Sequence, residues 1–158
     1  MRKINIGIIG FGSWVKDAYL PALGNDGRAE IVAVSARSES TIQSIKEYVG
    51  DRVDVYQGYA ELLASPNIEA VMIAVPDSVH AEAITAALDS GKAVFYEPPI
   101  AHTRVLVPKI IKKLLAAPQI THADLELALV PAVTKASELI KRQIIGNVQT
   151  ARIHLQSN

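Results

Sequence analysis

Two glycines stand close together near the start of the chain, where an apolar segment ends. Gly10 and Gly12 are separated by one residue. Glycines at such a turn let backbone N–H groups approach a pyrophosphate at the positive end of a helix. The pattern G-x-G-x-x-G is incomplete because its third position is Val15, and a tight turn without a ligand is the alternative. The candidate cofactor-binding residues at this turn are Gly10, Phe11, Gly12, Ser13 and Trp14.

A second group of candidates follows the next apolar segment. A site that prefers NAD places Asp or Glu there, where the carboxylate accepts a hydrogen bond from the ribose 2′-hydroxyl. This chain has Ala36, Arg37 and Ser38 instead. Arg37 can pair with a 2′-phosphate through two hydrogen bonds, and Ser38 can donate another. These residues favour NADP over NAD, and a solvated charge in the first turn of a helix is the alternative for Arg37.

A third group lies where a later apolar segment ends. Ala74, Val75 and Pro76 close that segment, and His80 follows about one helical turn later. Ligands of open α/β sheets bind outside the carboxyl ends of the strands. The segment is therefore predicted to line the cofactor site. For His80 the alternative is a helix histidine that is hydrogen-bonded to the backbone.

These candidates lie on alternating strand and helix patterns. Short β-branched runs predict strands at residues 4–9, 30–34, 53–56, 70–75, 93–96, 119–123 and 148–155. Helices are predicted at residues 13–23, 38–49, 59–64, 77–90, 105–117 and 131–145. Ser38 is expected to cap the second of these helices and Asp77 or Ser78 the fourth, while Gly24 and Gly146 are expected to end the first and the last. Strands separated by helices predict βαβ units with right-handed crossovers, and so a doubly wound parallel α/β sheet.

Composition excludes several other classes of protein. The 158 residues include 16 basic and 16 acidic residues and no Cys. A balanced charge argues against nucleic-acid or anionic-membrane partners, and the missing Cys excludes disulfides and thiolate catalysis. Four His without a compact carboxylate cluster make a metal site unexpected. No apolar run approaches the roughly 20 residues that span a bilayer, and no signal peptide is recognised, so we expect a cytoplasmic protein.

Longer segments resemble the Gfo/Idh/MocA family of NAD(P)-dependent sugar and inositol oxidoreductases. The matching segments, in the family's order, are IGIIGFGSW, EIVAVSARS, YAELLASPNIEAVMIAVPDSVHAEAITAALDSGKAVFYEPP and PAVTKASELIKRQIIGNV. The resemblance implies a dinucleotide-binding Rossmann domain at residues 1–124. It also implies that residues 125–158 are the remnant of a truncated substrate and dimerisation domain.

The chain departs from this family after the fifth predicted strand. Family members typically carry Glu-Lys-Pro there, with the lysine near the nicotinamide and the substrate, whereas this chain has Glu97, Pro98 and Pro99. Pro98 has no ionisable group and no N–H, so it cannot act as acid, base or donor. Lys92 is no substitute, because it lies at the opposite end of that strand. The resemblance thus implies that Glu97 and Pro98 line the cofactor site, and it leaves no catalytic residue assigned.

The expected function is NADP(H) or NAD(H) binding as part of an oxidoreductase of a sugar, a polyol or a related carbonyl. We expect no turnover by the chain alone, since the family's further catalytic groups lie in the substrate domain. The alternative is a non-catalytic nucleotide-binding or interaction module. The predicted last strand, together with an apolar helix face, predicts a homo-oligomer through residues 125–158. That face carries Val133, Ala136, Leu139 and Ile140.

Overall fold

The computed structural model describes residues 2–154 and contains one parallel sheet. Its strands are β1 (Ile4–Ile9), β2 (Ala29–Ala36), β3 (Asp54–Gln57), β4 (Ala70–Ile73), β5 (Ala93–Tyr96) and β6 (Thr121–Ala123). They lie in the order β3-β2-β1-β4-β5-β6, and every neighbouring pair is parallel. This is the strand order of a doubly wound dinucleotide-binding sheet. The predicted fold class is therefore confirmed.

Helices connect these strands. The first begins at Ser13 and continues through a π-helical segment, Val15–Tyr19, into α1 (Leu20–Asn25). The others are α2 (Glu39–Val49), α3 (Ala60–Ala64), α4 (Asp77–Asp89), α5 (Val107–Ala116) and α6 (Pro131–Lys141). Short 3₁₀ turns occupy Gly50–Arg52 and Glu126–Leu129. Among the described residues, no helix has the length and hydropathy that crossing a membrane would require.

The sheet is buried on both faces, and for this reason the sequences of its strands are continuous apolar runs. Successive residues of β1 point to opposite sides. Ile8 packs with Val34 and Ile45 of the layer that holds α2. Ile9 packs in the other layer, which holds residues of α3, α4 and α5 such as Ile84 and Ile110. The sheet is therefore held between two apolar layers, and its carboxyl edge stays open for the loops.

The end of the first helix and the cap of α4 differ from the prediction. Gly24 was expected to end the first helix, but the helix includes it and ends at Asn25. Gly24 does not adopt the left-handed backbone that would make it a helix-ending residue. Asp77 or Ser78 was expected at the cap of α4, but both are helical residues and Pro76 holds the cap position. Ser38 caps α2 as predicted, since its hydroxyl accepts a hydrogen bond from the Thr41 N–H at 3.3 Å.

The chain divides into two compact units, one ending at Asp124 and the other beginning at Leu125. In the second unit, the prediction that α6 runs to residue 145 and ends at Gly146 is wrong. The helix ends at Lys141, because Gln143 already adopts a left-handed φ of 53°. The predicted strand at 148–155 is also wrong over 148–154, where no strand forms; position 155 lies outside the described residues. A strand needs a neighbour to complete its backbone ladder, and the described residues of this unit supply none.

Candidate functional site

The residues predicted to bind a cofactor lie around a single cavity of about 650 Å³ at the carboxyl edge of the sheet. They come from the segments that follow β1, β2, β4 and β5, and these strands are neighbours in the sheet. The predicted residues that line the cavity are Gly10, Phe11, Gly12, Ser13, Trp14, Ala36, Arg37, Ser38, Ala74, Val75, Pro76, His80, Glu97 and Pro98. The cavity is also lined by residues that were not among the predicted cofactor-binding residues: Ile9, Ser35, Thr41, Gly58, Tyr59, Asp77 and Val79.

The glycines of the first turn have different structural roles. Gly10 has a φ of +102°, and a Cβ there would lie 2.1 Å from the Ala74 carbonyl oxygen. Its N–H donates to the Ser35 carbonyl at 2.9 Å, which fixes the turn against β2. Gly12 is exposed, and a Cβ there would meet no atom within 4 Å. Open space therefore lies beside the backbone at the point where the helix from Ser13 begins, and this geometry fits a pyrophosphate.

The end of the cavity nearest β2 carries Arg37, which is exposed. The hydroxyl of Tyr59 donates to Glu82 nearby. Burial and this bond raise the pKa of Tyr59 to about 12, and the positive charge of Arg37 opposes the shift. Arg37 is thus close to a second lining residue and free to face solvent. The hydroxyl of Ser38 lies 2.7 Å from the Thr41 hydroxyl and caps α2, so Ser38 already has partners within the protein.

His80 is buried in the cavity wall, with an exposed fraction of 2%. Its Nδ1 lies 2.5 Å from the Pro99 carbonyl oxygen, and its Nε2 lies 2.6 Å from the Val75 carbonyl oxygen. The ring therefore connects the segment after β4 to the segment after β5, where the Pro98–Pro99 peptide bond is cis. This arrangement agrees with the alternative interpretation of His80, which was a helix histidine hydrogen-bonded to the backbone. His80 nevertheless also lines the cavity.

At the end nearest β5, Glu97 is half-buried and belongs to a cluster of three side chains. The Tyr19 hydroxyl donates to Glu97, and Oδ2 of Asp124 lies 3.4 Å from the same hydroxyl. Burial raises the pKa of Glu97, the bond from Tyr19 opposes this, and the carboxylate of Asp124 adds to the rise. Burial and both carboxylates hold the pKa of Tyr19 well above its usual value.

The sequence analysis did not identify Tyr19 or Asp124 as part of this cluster. Tyr19 stands 78 positions from Glu97 and 105 positions from Asp124 in the sequence, so no local pattern connects them.

Lys92 lies away from this cluster, at the amino end of β5. Its Nζ donates to the carbonyls of Ser65 and Ile68 at 2.7 and 2.8 Å, and burial lowers its pKa. Lys92 thus joins a loop to the opposite edge of the sheet and does not line the cavity. Among residues 2–154, no group of three or more potential metal ligands is found.

A parallel sheet in this strand order, with a glycine turn and a cavity at its carboxyl edge, defines a dinucleotide-binding Rossmann domain. Comparison with known proteins agrees. Residues 4–117 match the model of the Gfo/Idh/MocA oxidoreductase family, described as having an NAD-binding Rossmann fold. The match covers more than half of the chain, and the chain belongs to this family.

A dTDP-3,4-didehydro-2,6-dideoxy-alpha-D-glucose 3-reductase from Saccharopolyspora spinosa is 34% identical over 104 residues, which are 65% of this chain and 31% of the relative. An oxidoreductase of known structure from Thermotoga maritima is 32% identical with a TM-score of 0.84, over 92% of this chain and 45% of that one. A 3-ketoreductase from Actinomadura kijaniata, solved with TDP-benzene and NADP, shares the fold at 24% identity and a TM-score of 0.80. The matched region covers 94% of this chain and 45% of the 3-ketoreductase chain. The chain thus spans less than half the length of each.

We expect Gly12→Ala to weaken NADPH binding at least about tenfold, or roughly 1.4 kcal/mol, without lowering the unfolding temperature. The added methyl would occupy the space beside the turn, where no protein atom lies within 4 Å. Fluorescence titration and thermal unfolding followed by circular dichroism measure the two effects. A Gly12→Ala protein that binds NADPH as tightly as the native chain would contradict the site.

Gly24→Ala is the matched control, because a Cβ at Gly24 also meets nothing within 4 Å and Gly24 does not line the cavity. It should leave binding unchanged and stabilise α1 by up to about 1 kcal/mol. Gly10→Ala should instead unfold the protein, since its Cβ would overlap the Ala74 carbonyl.

Proposed function

We propose that the chain binds NADP(H), or NAD(H), in this cavity and is the cofactor-binding part of an oxidoreductase acting on a sugar, polyol or related carbonyl. The observation that carries the proposal is the first turn, where Gly12 leaves open space beside the start of a helix. Family membership supports the cofactor class, and the sugar 3-reductase among the relatives supports the substrate class. The proposal includes the cytoplasmic location expected from the sequence.

Each part of the cavity would hold one part of the dinucleotide. Backbone N–H groups at Gly12 and Ser13 would donate to the pyrophosphate, where the helix dipole also favours negative charge. Arg37 would pair with a 2′-phosphate, and the absence of an acid at the end of β2 favours NADP over NAD. The segments after β4 and β5 would surround the nicotinamide half. When bound, the cofactor supplies a ring that accepts or donates hydride.

We further propose that residues 1–124 form the dinucleotide-binding domain and that residues 125–158 belong to a substrate or dimerisation domain. Pro98 stands where the family typically has its lysine, and it offers no group for proton transfer. We therefore propose that the chain by itself binds cofactor without turning over a substrate. A non-catalytic nucleotide-binding module is the second candidate, and the same departure at Pro98 favours it.

The binding test uses Trp14, the chain's one tryptophan, which lines the cavity. Titration with NADPH should give a saturable change in its fluorescence. Arg37→Ala should weaken NADPH binding about tenfold or more, because a charged hydrogen-bonding partner of the phosphate is lost, and should leave NADH binding unchanged. Arg52→Ala is the control, since Arg52 is exposed and outside the cavity lining. No response at millimolar NADPH would overturn the proposal, and equal losses for NADPH and NADH would overturn the role of Arg37.

Incubating the chain with oxidised cofactor and a panel of polyols and aldoses separates binding from turnover. We expect no growth of the reduced nicotinamide absorbance. Hydride transfer from any member of the panel to the oxidised cofactor would show that the residues present suffice for chemistry, and would contradict both the proposed lack of turnover and the non-catalytic alternative.

We also propose that residues 125–158 join two copies of the chain. No residue of α6 is buried, and Val133 and Ile140 expose 48% and 44% of their surface. Because the formal net charge of the chain is zero, two copies do not repel each other through their net charge. Light scattering at micromolar concentration should give at least twice the chain mass, and Val133→Glu should reduce it to the monomer. A strictly monomeric native chain would contradict this proposal.

A further inference from the structure

The strand order decides which half of a bound dinucleotide would lie at each end of the cavity. In a sheet of this order the pyrophosphate lies at the turn after the first strand, and the adenosine ribose lies at the end of the second. Arg37 marks that end here. The nicotinamide half therefore falls on the side of β4 and β5, where Glu97 and Pro98 line the wall.

The charges around the cavity are unevenly placed. The charged side chains among its lining residues are Arg37, Asp77 and Glu97. Arg37 is at the adenosine end, and Asp77 is exposed at the start of α4. Glu97 is the half-buried one, and it lies at the nicotinamide end. A half-buried charge acts more strongly on a neighbouring ligand than an exposed one, because water screens it less.

We propose that Glu97 sets the preference of this site between oxidised and reduced dinucleotide, and that the preference changes with pH. The inference rests on the proposed function. The oxidised nicotinamide ring carries a positive charge and the reduced ring carries none. An ionised Glu97 therefore stabilises the oxidised form over the reduced form, and a protonated Glu97 does not. The phosphates and the adenosine are the same in both forms, so their effects cancel in the ratio of the two affinities.

The groups that face Glu97 determine where this change occurs. Tyr19 of the π-helical segment donates to its carboxylate, and Asp124, which follows β6, presents a second carboxylate to the same hydroxyl. From α4, the His80 ring bonds to the carbonyl of Pro99 in the same segment as Glu97. Burial and Asp124 place the pKa of Glu97 above its usual value, while Tyr19 opposes them. As pH rises through that pKa, Glu97 ionises and affinity for the oxidised form increases relative to the reduced form.

The test measures the dissociation constants of NADP⁺ and NADPH for the full chain by calorimetry, from about pH 4.5, near the usual pKa of a glutamate, to about pH 9. We expect the ratio of the NADPH constant to the NADP⁺ constant to rise about three- to tenfold with pH. Glu97→Gln should make the ratio independent of pH. Asp124→Asn should move the midpoint to lower pH, because it removes a like charge, and Tyr19→Phe should move it to higher pH, because it removes a donor to the carboxylate. Asp17→Asn is the matched control and should leave the profile unchanged, because Asp17 lies in the same π-helical segment as Tyr19 but is exposed and outside the cavity lining.

The outcomes separate the two proposals. If both forms bind with a ratio that stays constant with pH, the role of Glu97 is overturned while the proposed function stands. A pH-dependent ratio that persists in Glu97→Gln, or that disappears in Asp17→Asn, also overturns it. If neither form binds, the proposed function fails and this inference fails with it. If Glu97→Gln does not fold, the test rests on Asp124→Asn and Tyr19→Phe, which should shift the midpoint in opposite directions. Unshifted midpoints in these two variants would overturn the role of Glu97.

Discussion

The cavity depends on one close approach, between the turn after β1 and the end of β4. A Cβ at residue 10 would lie 2.1 Å from the Ala74 carbonyl oxygen, so only glycine fits there, at a φ of +102°. Backbone hydrogen bonds hold both sides of the turn: Gly10 donates to Ser35 of β2, and Ala74 donates to Ile9 of β1, each at 2.9 Å. The chain can therefore leave the middle of the sheet and begin a helix beside its open edge. The space next to Gly12 is the consequence.

The two ends of this space differ in what surrounds them. Near β2 the wall carries an exposed cation, Arg37, and a hydroxyl that already caps α2. Near β5 the wall is held by contacts that cross between elements, through His80 and through the hydroxyl of Tyr19. A long ligand with an anionic end and a flat, weakly charged end matches this asymmetry.

Local patterns in the sequence predicted the sheet, the glycine turn and the lining residues, because each depends on a few neighbouring residues. The apolar run of β1 and the Ser38 cap of α2 are examples. The contacts of Glu97 with Tyr19 and Asp124 depend on strand order and could not be read from spacing. The predicted end of α6 was wrong because residues other than glycine can also end a helix. Gln143 adopts the left-handed conformation before the chain reaches Gly146. The last predicted strand failed because β-branched residues do not supply a pairing partner.

A crystal structure of the chain grown with NADP⁺ would show directly whether the dinucleotide lies in the cavity and in which orientation. We expect the pyrophosphate to accept hydrogen bonds from the backbone beside Gly12, with the 2′-phosphate at Arg37 and the nicotinamide ring next to Glu97. A dinucleotide bound in the reverse orientation, or at another surface with the space beside Gly12 left empty, would contradict it.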